Sequence, residues 1–225
     1  MRINQYIAHA SGLSRRQADA AIAEGRVRLN DAVAPRGATM AAGDTVELDG
    51  ARLQAPTYQT IALHKPPGYV TSRRKQGTTP TIYALLPPEL HILKPVGRLD
   101  RDSSGLLLLT NDGELAQQLQ HPSRGHRKRY EVQLDRRLDP SDATQLQKGV
   151  KLDDGLSKLA VEPRHGYIEV WLEEGRNRQI RRSFAALGYR VTRLHRTNVG
   201  DIVLGKLASG QWQPIGQGNA QGAAV

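Results

Sequence analysis

The densest run of chemistry-bearing residues is Gly97-Arg98-Leu99-Asp100-Arg101-Asp102-Ser103-Ser104-Gly105, which leads directly into Leu106-Leu107-Leu108-Leu109-Thr110-Asn111-Asp112-Gly113. A polar loop that feeds a continuous apolar strand sits at one edge of a buried sheet, where reactive groups are commonly held. Three readings fit these residue types. The Asp and Ser side chains can bond to nearby backbone and simply make a turn. Asp100, Asp102, Ser104 and Gly105 take the first, third, fifth and sixth places of a calcium loop, but Asn111 stands at the twelfth, where a bidentate Glu is required. The flanks also read as strand, so calcium is excluded. In the third reading Asp100 is a carboxylate nucleophile or base with Arg98 two residues before it, and Asp102 is its rival by residue type.

Basic side chains gather in two further places. Between Gly175 and Gly200 stand seven arginines, 176, 178, 181, 182, 190, 193 and 196, and no acid. Turned by 100° per residue, Ile180, Phe184 and Leu187 share one side and Arg178, Arg181 and Arg182 the other, which predicts a helix that packs its apolar side and offers a basic face. Such a run repels itself unless an anion lies opposite, and both a phosphate and Asp100 qualify. Near the start, Arg15 and Arg16 fall in the first turn of a short helix and Arg26 and Arg28 on one face of the next strand, a surface able to track a phosphate backbone. Tyr130 heads the strand Tyr130-Glu131-Val132-Gln133-Leu134, a place more often structural than catalytic. Histidines 9, 64, 91, 121, 126, 165 and 195 show no ligand spacing and Cys is absent, so neither a metal site nor thiolate chemistry is expected.

The elements that must position these groups come from 225 residues with 32 Lys and Arg against 22 Asp and Glu, a net charge of +10 that calls for a polyanionic partner. No run of about 18 apolar residues exists to span a bilayer, and Met1-Arg2-Ile3-Asn4-Gln5-Tyr6 lacks a secretory core, so a cytoplasmic protein without membrane partners is expected. In the first 50 residues Ile3, Ile7 and Ala10 predict a helix stopped by Gly12. Ser14 and Gln17 form a capping box that starts a second helix, and Gly25 ends it. Arg26 to Asn30 and Thr45 to Asp49 alternate as strands. Residues 51–58, with Pro56, carry no periodicity. From Thr60 onward short apolar strands are interrupted by helices near 114–120, 140–147 and 177–187. The expected fold class is α+β: a small α/β domain (1–52), a linker (53–59), a mixed, mainly antiparallel sheet domain with flanking helices (60–214), and a flexible tail (215–225).

Ser14-Arg15-Arg16-Gln17-Ala18, Ile22, Gly25-Arg26-Val27-Arg28-Leu29-Asn30, Pro35 and Gly43-Asp44 resemble the S-four-type RNA-binding module first described in a ribosomal protein. That likeness covers about residues 2–50 and implies structured RNA as ligand. A stronger one follows it. Residues 97–113 are similar to the signature of the ribosomal RNA pseudouridine synthases of the RsuA and RluB type. In the same family order come Lys65-Pro66-Pro67-Gly68-Tyr69-Val70, Lys128-Arg129-Tyr130, Gly149 to Gly155, Glu174 to Arg182, Leu194-His195-Arg196 and Gly210-Gln211-Trp212. Ser183 departs from the pattern, standing where these enzymes often carry an apolar residue such as Met.

The resemblance implies the pseudouridine synthase fold and a redox-neutral isomerisation of uridine that needs no cofactor. It implies Asp100 as the catalytic carboxylate, Tyr130 over the target base, and Arg181 as the partner that keeps Asp100 ionised, with Arg178 a weaker second candidate. Asp102 corresponds to a loop position. Arg98 would help fill the space that a flipped-out uracil leaves. Arg15, Arg16, Arg26, Arg28, Arg178 and Arg182 are the further candidates for RNA contact. The expected partner is ribosomal RNA, of the large subunit more than the small, or a ribosome assembly intermediate, bound by a monomer. The competing reading is a non-catalytic RNA-binding assembly factor that uses the same front module.

Overall fold

Gly12 and the Ser14–Gln17 pair set the first two helices of the computed structural model, which describes residues 1–54, 57–74, 76–120 and 127–216. Helix α1 (Ile3–Ser11) ends where Gly12 turns left-handed at φ 77°. Helix α2 (Arg15–Ala23) starts on a complete capping box: the Ser14 hydroxyl accepts from the Gln17 amide at 3.2 Å, and the Gln17 side chain accepts from the Ser14 amide at 2.8 Å. Ile3, Ile7, Ala18, Ala21 and Ile22 bury their side chains with Val27 and Val46. These last two belong to an antiparallel sheet of order β2-β1-β3-β4, made of β1 (Val27–Leu29), β2 (Ala32–Val33), β3 (Val46–Leu48) and β4 (Ala51–Arg52). The two short edge strands are hairpin returns that alternation alone did not predict. This unit spans Met1–Tyr58, and a second spans Gln59–Val225.

In chain order the second unit contains β5 (Thr60–Lys65), two single-turn 3-10 helices at Ile82–Leu85 and Pro88–Ile92, β6 (Lys94–Val96), β7 (Ser104–Thr110), α3 (Gly113–Gln120) and β8 (Lys128–Leu134). Then follow α4 (Pro140–Lys148), β9 (Val150–Leu152), β10 (Gly155–Ser157), β11 (Ala160–Arg164), β12 (Tyr167–Leu172), α5 (Gln179–Ala186), β13 (Val191–Val199), β14 (Ile202–Val203) and β15 (Trp212–Pro214). Nine strands form one sheet of order β11-β12-β8-β13-β7-β5-β15, with β14 added to β13 and β6 to β7, while β9 and β10 pair apart as a hairpin. This is the mixed, mainly antiparallel α+β arrangement of the sequence reading. Pro56, His121, His126 and the tail residues 217–225 lie outside the described residues. No described helix is long and apolar enough to cross a membrane.

The leucine run of β7 is continuous because both faces of the sheet are covered. Leu107 and Leu109 pack in the larger core with Ile61, Val132, Val170 and Phe184; Leu106 and Leu108 pack in the smaller with Val96, Leu115, Leu119 and Leu204. All four are fully buried, each contributing about 1.5–3 kcal/mol of transfer free energy. Strands β7 and β13 are parallel, with Ser104 beside His195 and Gly105 beside Arg196. Gly105 is required there: it sits at φ 109°, and a Cβ would run into the backbone of Arg196. The Ser104 hydroxyl lies 2.8 Å from His195 Nδ1, and burial lowers that imidazole's pKa to about 4, so it is neutral near pH 7.

Candidate active site

Residues 97–103 form the loop that joins β6 to β7, and the backbone around Asp100 is braced from one neighbouring segment. Thr71 Oγ1 donates to the Leu99 carbonyl at 2.8 Å and accepts from the Leu99 amide at 3.2 Å. The Gly68 amide donates to the Arg101 carbonyl at 2.7 Å. The Lys65 ammonium, completely buried, donates to the Ser103 carbonyl at 2.7 Å and to the Pro66 carbonyl at 3.0 Å. Within the loop, the Ser103 amide closes a turn on the Asp100 carbonyl at 3.1 Å. The residues on both sides of Asp100 are thereby fixed, while its own side chain keeps 31% of its surface exposed.

A cavity of about 700 Å³ opens over this loop, walled by Arg98, Asp100, Lys128, Tyr130, Arg178 and Arg196, with Leu172, Ile180 and Leu194 as apolar lining. Tyr130 is buried in the core by its ring, and its hydroxyl has no hydrogen-bond partner among the described residues. Arg98 is exposed at the cavity and likewise unpaired among the described residues. Burial lowers the Lys65 pKa to about 8 against the opposing pull of the Asp100 and Asp102 charges, so this ammonium is a charge source beneath the loop. Lys65 and Thr71 received no role from the sequence. Their signal was the break in hydrophobicity where an apolar strand ends in Lys-Pro-Pro-Gly, and it names no partner 30 residues away.

The ion pair expected between Arg181 and Asp100 is not the one the structure makes. Asp100 Oδ2 lies 3.5 Å from Arg178 Nη1, and the same guanidinium holds Asp102 with two bonds of 3.0 and 3.2 Å. Arg181 is 3.3 Å from the Asp102 carboxylate and donates to the carbonyls of Asp102 (3.1 Å) and Val191 (2.9 Å). The physical reason is local. Arg178 adopts a left-handed backbone at φ 48°, ψ 30°, which delays the helix to Gln179 and turns its side chain to the loop. Arg181, on the first turn of α5, buries its guanidinium between the loop backbone and the start of β13. Asp102 therefore does more than make a turn. Burial would raise its pKa, but the Arg178 hydrogen bond and the Arg181 and Arg178 charges hold it below the ordinary carboxylate range.

Besides Asp100 and Asp102, further anions relieve the basic run. Asp154, at the tip of the β9–β10 hairpin, lies 2.6 Å from Arg182 and 2.9 Å from Arg176, and Glu174 is 3.2 Å from Arg176. Arg182 is thus already engaged, as is Arg26 of the first unit, which pairs with Asp49 at 2.6 Å and Glu24 at 3.0 Å. Arg15 donates to Gln5 at 2.6 Å and Arg28 to the Asp31 carbonyl, which leaves Arg16 as the one of the four without a partner among the described residues. Ser183 fits its buried position through polar contacts: its hydroxyl donates to the Gln179 carbonyl at 2.9 Å and lies 2.9 Å from the Ser157 hydroxyl, so a small polar cluster occupies that space. Among the described residues no three His, Asp or Glu gather as metal ligands.

Residues 59–186 match the family described as RNA pseudouridylate synthase. The chain is 35% identical over 227 residues to an uncharacterized RNA pseudouridine synthase of Aquifex aeolicus, covering 97% of this chain and 91% of that one. It is 36% identical over 230 residues to the ribosomal large subunit pseudouridine synthase B of Yersinia pestis, covering 95% and 72%. The enzyme of that name from Xanthomonas campestris is 34% identical over 223 residues, and there the match spans only 44% of the relative. A crystal structure of a pseudouridylate synthase superposes over 98% of both chains with a TM-score of 0.70 at 30% identity.

Proposed function

We propose, from the premise that this chain belongs to the RNA pseudouridylate synthase family, that it isomerises a uridine of large-subunit ribosomal RNA with Asp100 as the reacting carboxylate. Breaking the bond between C1′ and N1, turning the uracil and joining C1′ to C5 moves a proton from C5 to N1 and leaves the oxidation state unchanged. The reaction therefore needs groups that attack, hold and exchange protons, and no electron carrier. A carboxylate can add to base or sugar, or face an oxocarbenium-like ribose, and can leave again. Arg178, 3.5 Å from the carboxylate, orients Asp100. The Tyr130 ring provides a surface for the target base, and its free hydroxyl can join in proton transfer. A stacked uridine cannot reach Asp100, so the nucleotide is flipped into the cavity and Arg98, exposed at its mouth, fills the gap.

Asp100 and Tyr130 in the wall of one cavity, with the backbone on both sides of Asp100 pinned, is the observation that carries this reading. The first unit, with Arg16 and the partly engaged Arg15 and Arg28, serves as the module that grips structured RNA. Purified protein with no added metal or nucleotide should form pseudouridine in unmodified large-subunit ribosomal RNA. Asp100→Asn should lower the single-turnover rate by about a thousandfold or more, with RNA affinity within a few fold of the parent. Activity above a trace in that variant would move the catalytic role to Asp102, and an inactive parent that still binds RNA would favour a binding factor.

A further inference from the structure

The cations around the cavity fall into two groups. Arg178 and Arg176 face carboxylates, and Glu173 and Glu174, the other acids in the wall, are committed to Arg127 at 2.8 Å and Arg176 at 3.2 Å. Lys128 and Arg196 face none, and neither do Arg98 and Arg73, which unlike them are exposed. Arg196 is 2% exposed; its Nε donates to the Leu106 carbonyl at 2.8 Å, and its buried Nη2 has no partner among the described residues. The Lys128 ammonium makes a single long contact, 3.4 Å to the Glu173 carbonyl. Burial and the nearby Arg196 charge both lower its pKa. None of the undescribed residues is an Asp or a Glu, so no side-chain carboxylate from them can complete the pair. Two like charges near enough to interact, one buried and one half-buried, with no acid opposite them, are costly unless a ligand brings the anion.

Their placement says which anion. Arg196 is the direct cross-strand partner of Tyr130, and Lys128 lies two residues before Tyr130 on the same face of β8. One repeat of the pleat, about 7 Å, separates the lysine from the ring. A register shift between Arg196 and Asn198 marks a bulge beside the arginine, a device that re-aims side chains at sites. We propose that Lys128 and Arg196 form a subsite for one phosphodiester of the RNA strand, that of the nucleotide whose base lies on Tyr130. The assignment rests on the function proposed above. Lys128 meets the phosphate oxygens, and Arg196 supplies a fixed charge behind it.

Salt-dependent binding and single-turnover rates on an unmodified large-subunit ribosomal RNA transcript test this with Lys128→Gln, Lys128→Arg and Arg196→Lys. Lys128→Gln should weaken binding several fold and lower the slope of log affinity against log salt by about 0.7–0.9, with a rate at saturating RNA within twofold of the parent. Lys128→Arg should restore the slope. Arg196→Lys, which keeps the charge and loses the Leu106 bond, should keep the slope if it folds; Lys128→Gln carries the test if it does not. Parent-like slope and affinity in Lys128→Gln would overturn the subsite, as would a slowed rate at saturation with unchanged affinity. The binding arm reads out even if the parent makes no pseudouridine, so failure of the subsite and failure of the function are told apart.

Discussion

Around Asp100 the loop backbone is held from within the chain: Thr71 on residue 99, Gly68 on residue 101, Lys65 on residue 103, and Arg178 and Arg181 on the carboxylates and carbonyls between. Along β8 and β13, Lys128 and Arg196 are left without an opposing charge. The first region is organised before substrate arrives, which is what a reacting group needs. The second holds its interactions for something that is not protein. Damage to the first should therefore appear in the rate, and damage to the second in affinity and its dependence on salt.

The largest separation is expected at Thr71. Thr71→Val keeps the shape and removes both bonds to Leu99, so Asp100 loses one of its braces and the single-turnover rate should fall by about ten- to a hundredfold, with unchanged RNA affinity and salt slope. Thr71→Ser should recover most of the rate. A loss of affinity in place of rate would break the division between the two regions. Smaller effects should sharpen it along the basic helix. Arg178→Ala removes the Asp100 partner and should slow the chemical step by about tenfold, whereas Arg182→Ala removes one of two cations from Asp154, which keeps Arg176, and should leave rate and affinity intact. Equal rate losses in both variants would mean that the helix acts as one charge and not through pairing.

The smallest test lies in the first unit, where the same contrast is drawn between two arginines. Arg16→Gln should reduce the salt slope by about 0.7–0.9 if it meets one phosphate. Arg26→Gln should leave the slope as it is, because Asp49 and Glu24 already hold that guanidinium. Filter binding across a salt series measures both, and a reversed order would show that RNA displaces the internal pair.

Residues close in sequence were read well: the capping box at Ser14, the stop at Gly12, the β7 leucines and the α5 apolar side through Ile180 and Phe184 each follow from spacing of a few positions. Leu187 is less buried than that spacing implied, because the helix has ended by then. The cavity residues Asp100, Tyr130 and Arg98 were legible as motifs. What could not be read was who meets whom. Arg178 and Arg181 lie three positions apart at the start of α5, one just before it and one on its first turn, and the choice between them turned on the left-handed backbone of Arg178 and a burial site at Val191. Lys65 and Thr71 act on residues 38 and 28 positions away, and no local periodicity encodes such a distance.

The parallel contact between β7 and β13 also bears on how the molecule comes to be folded. Its partners stand 91 residues apart in sequence, while β11 and β12 join across a tight turn. Closing so long a loop costs entropy before any contact repays it, so the hairpins are expected to form before this seam. The seam brings the Asp100 loop beside Arg196 and Tyr130. A chain leaving the ribosome therefore has no assembled cavity until β13 has been synthesised, because β13 is the strand that joins β8 to β7.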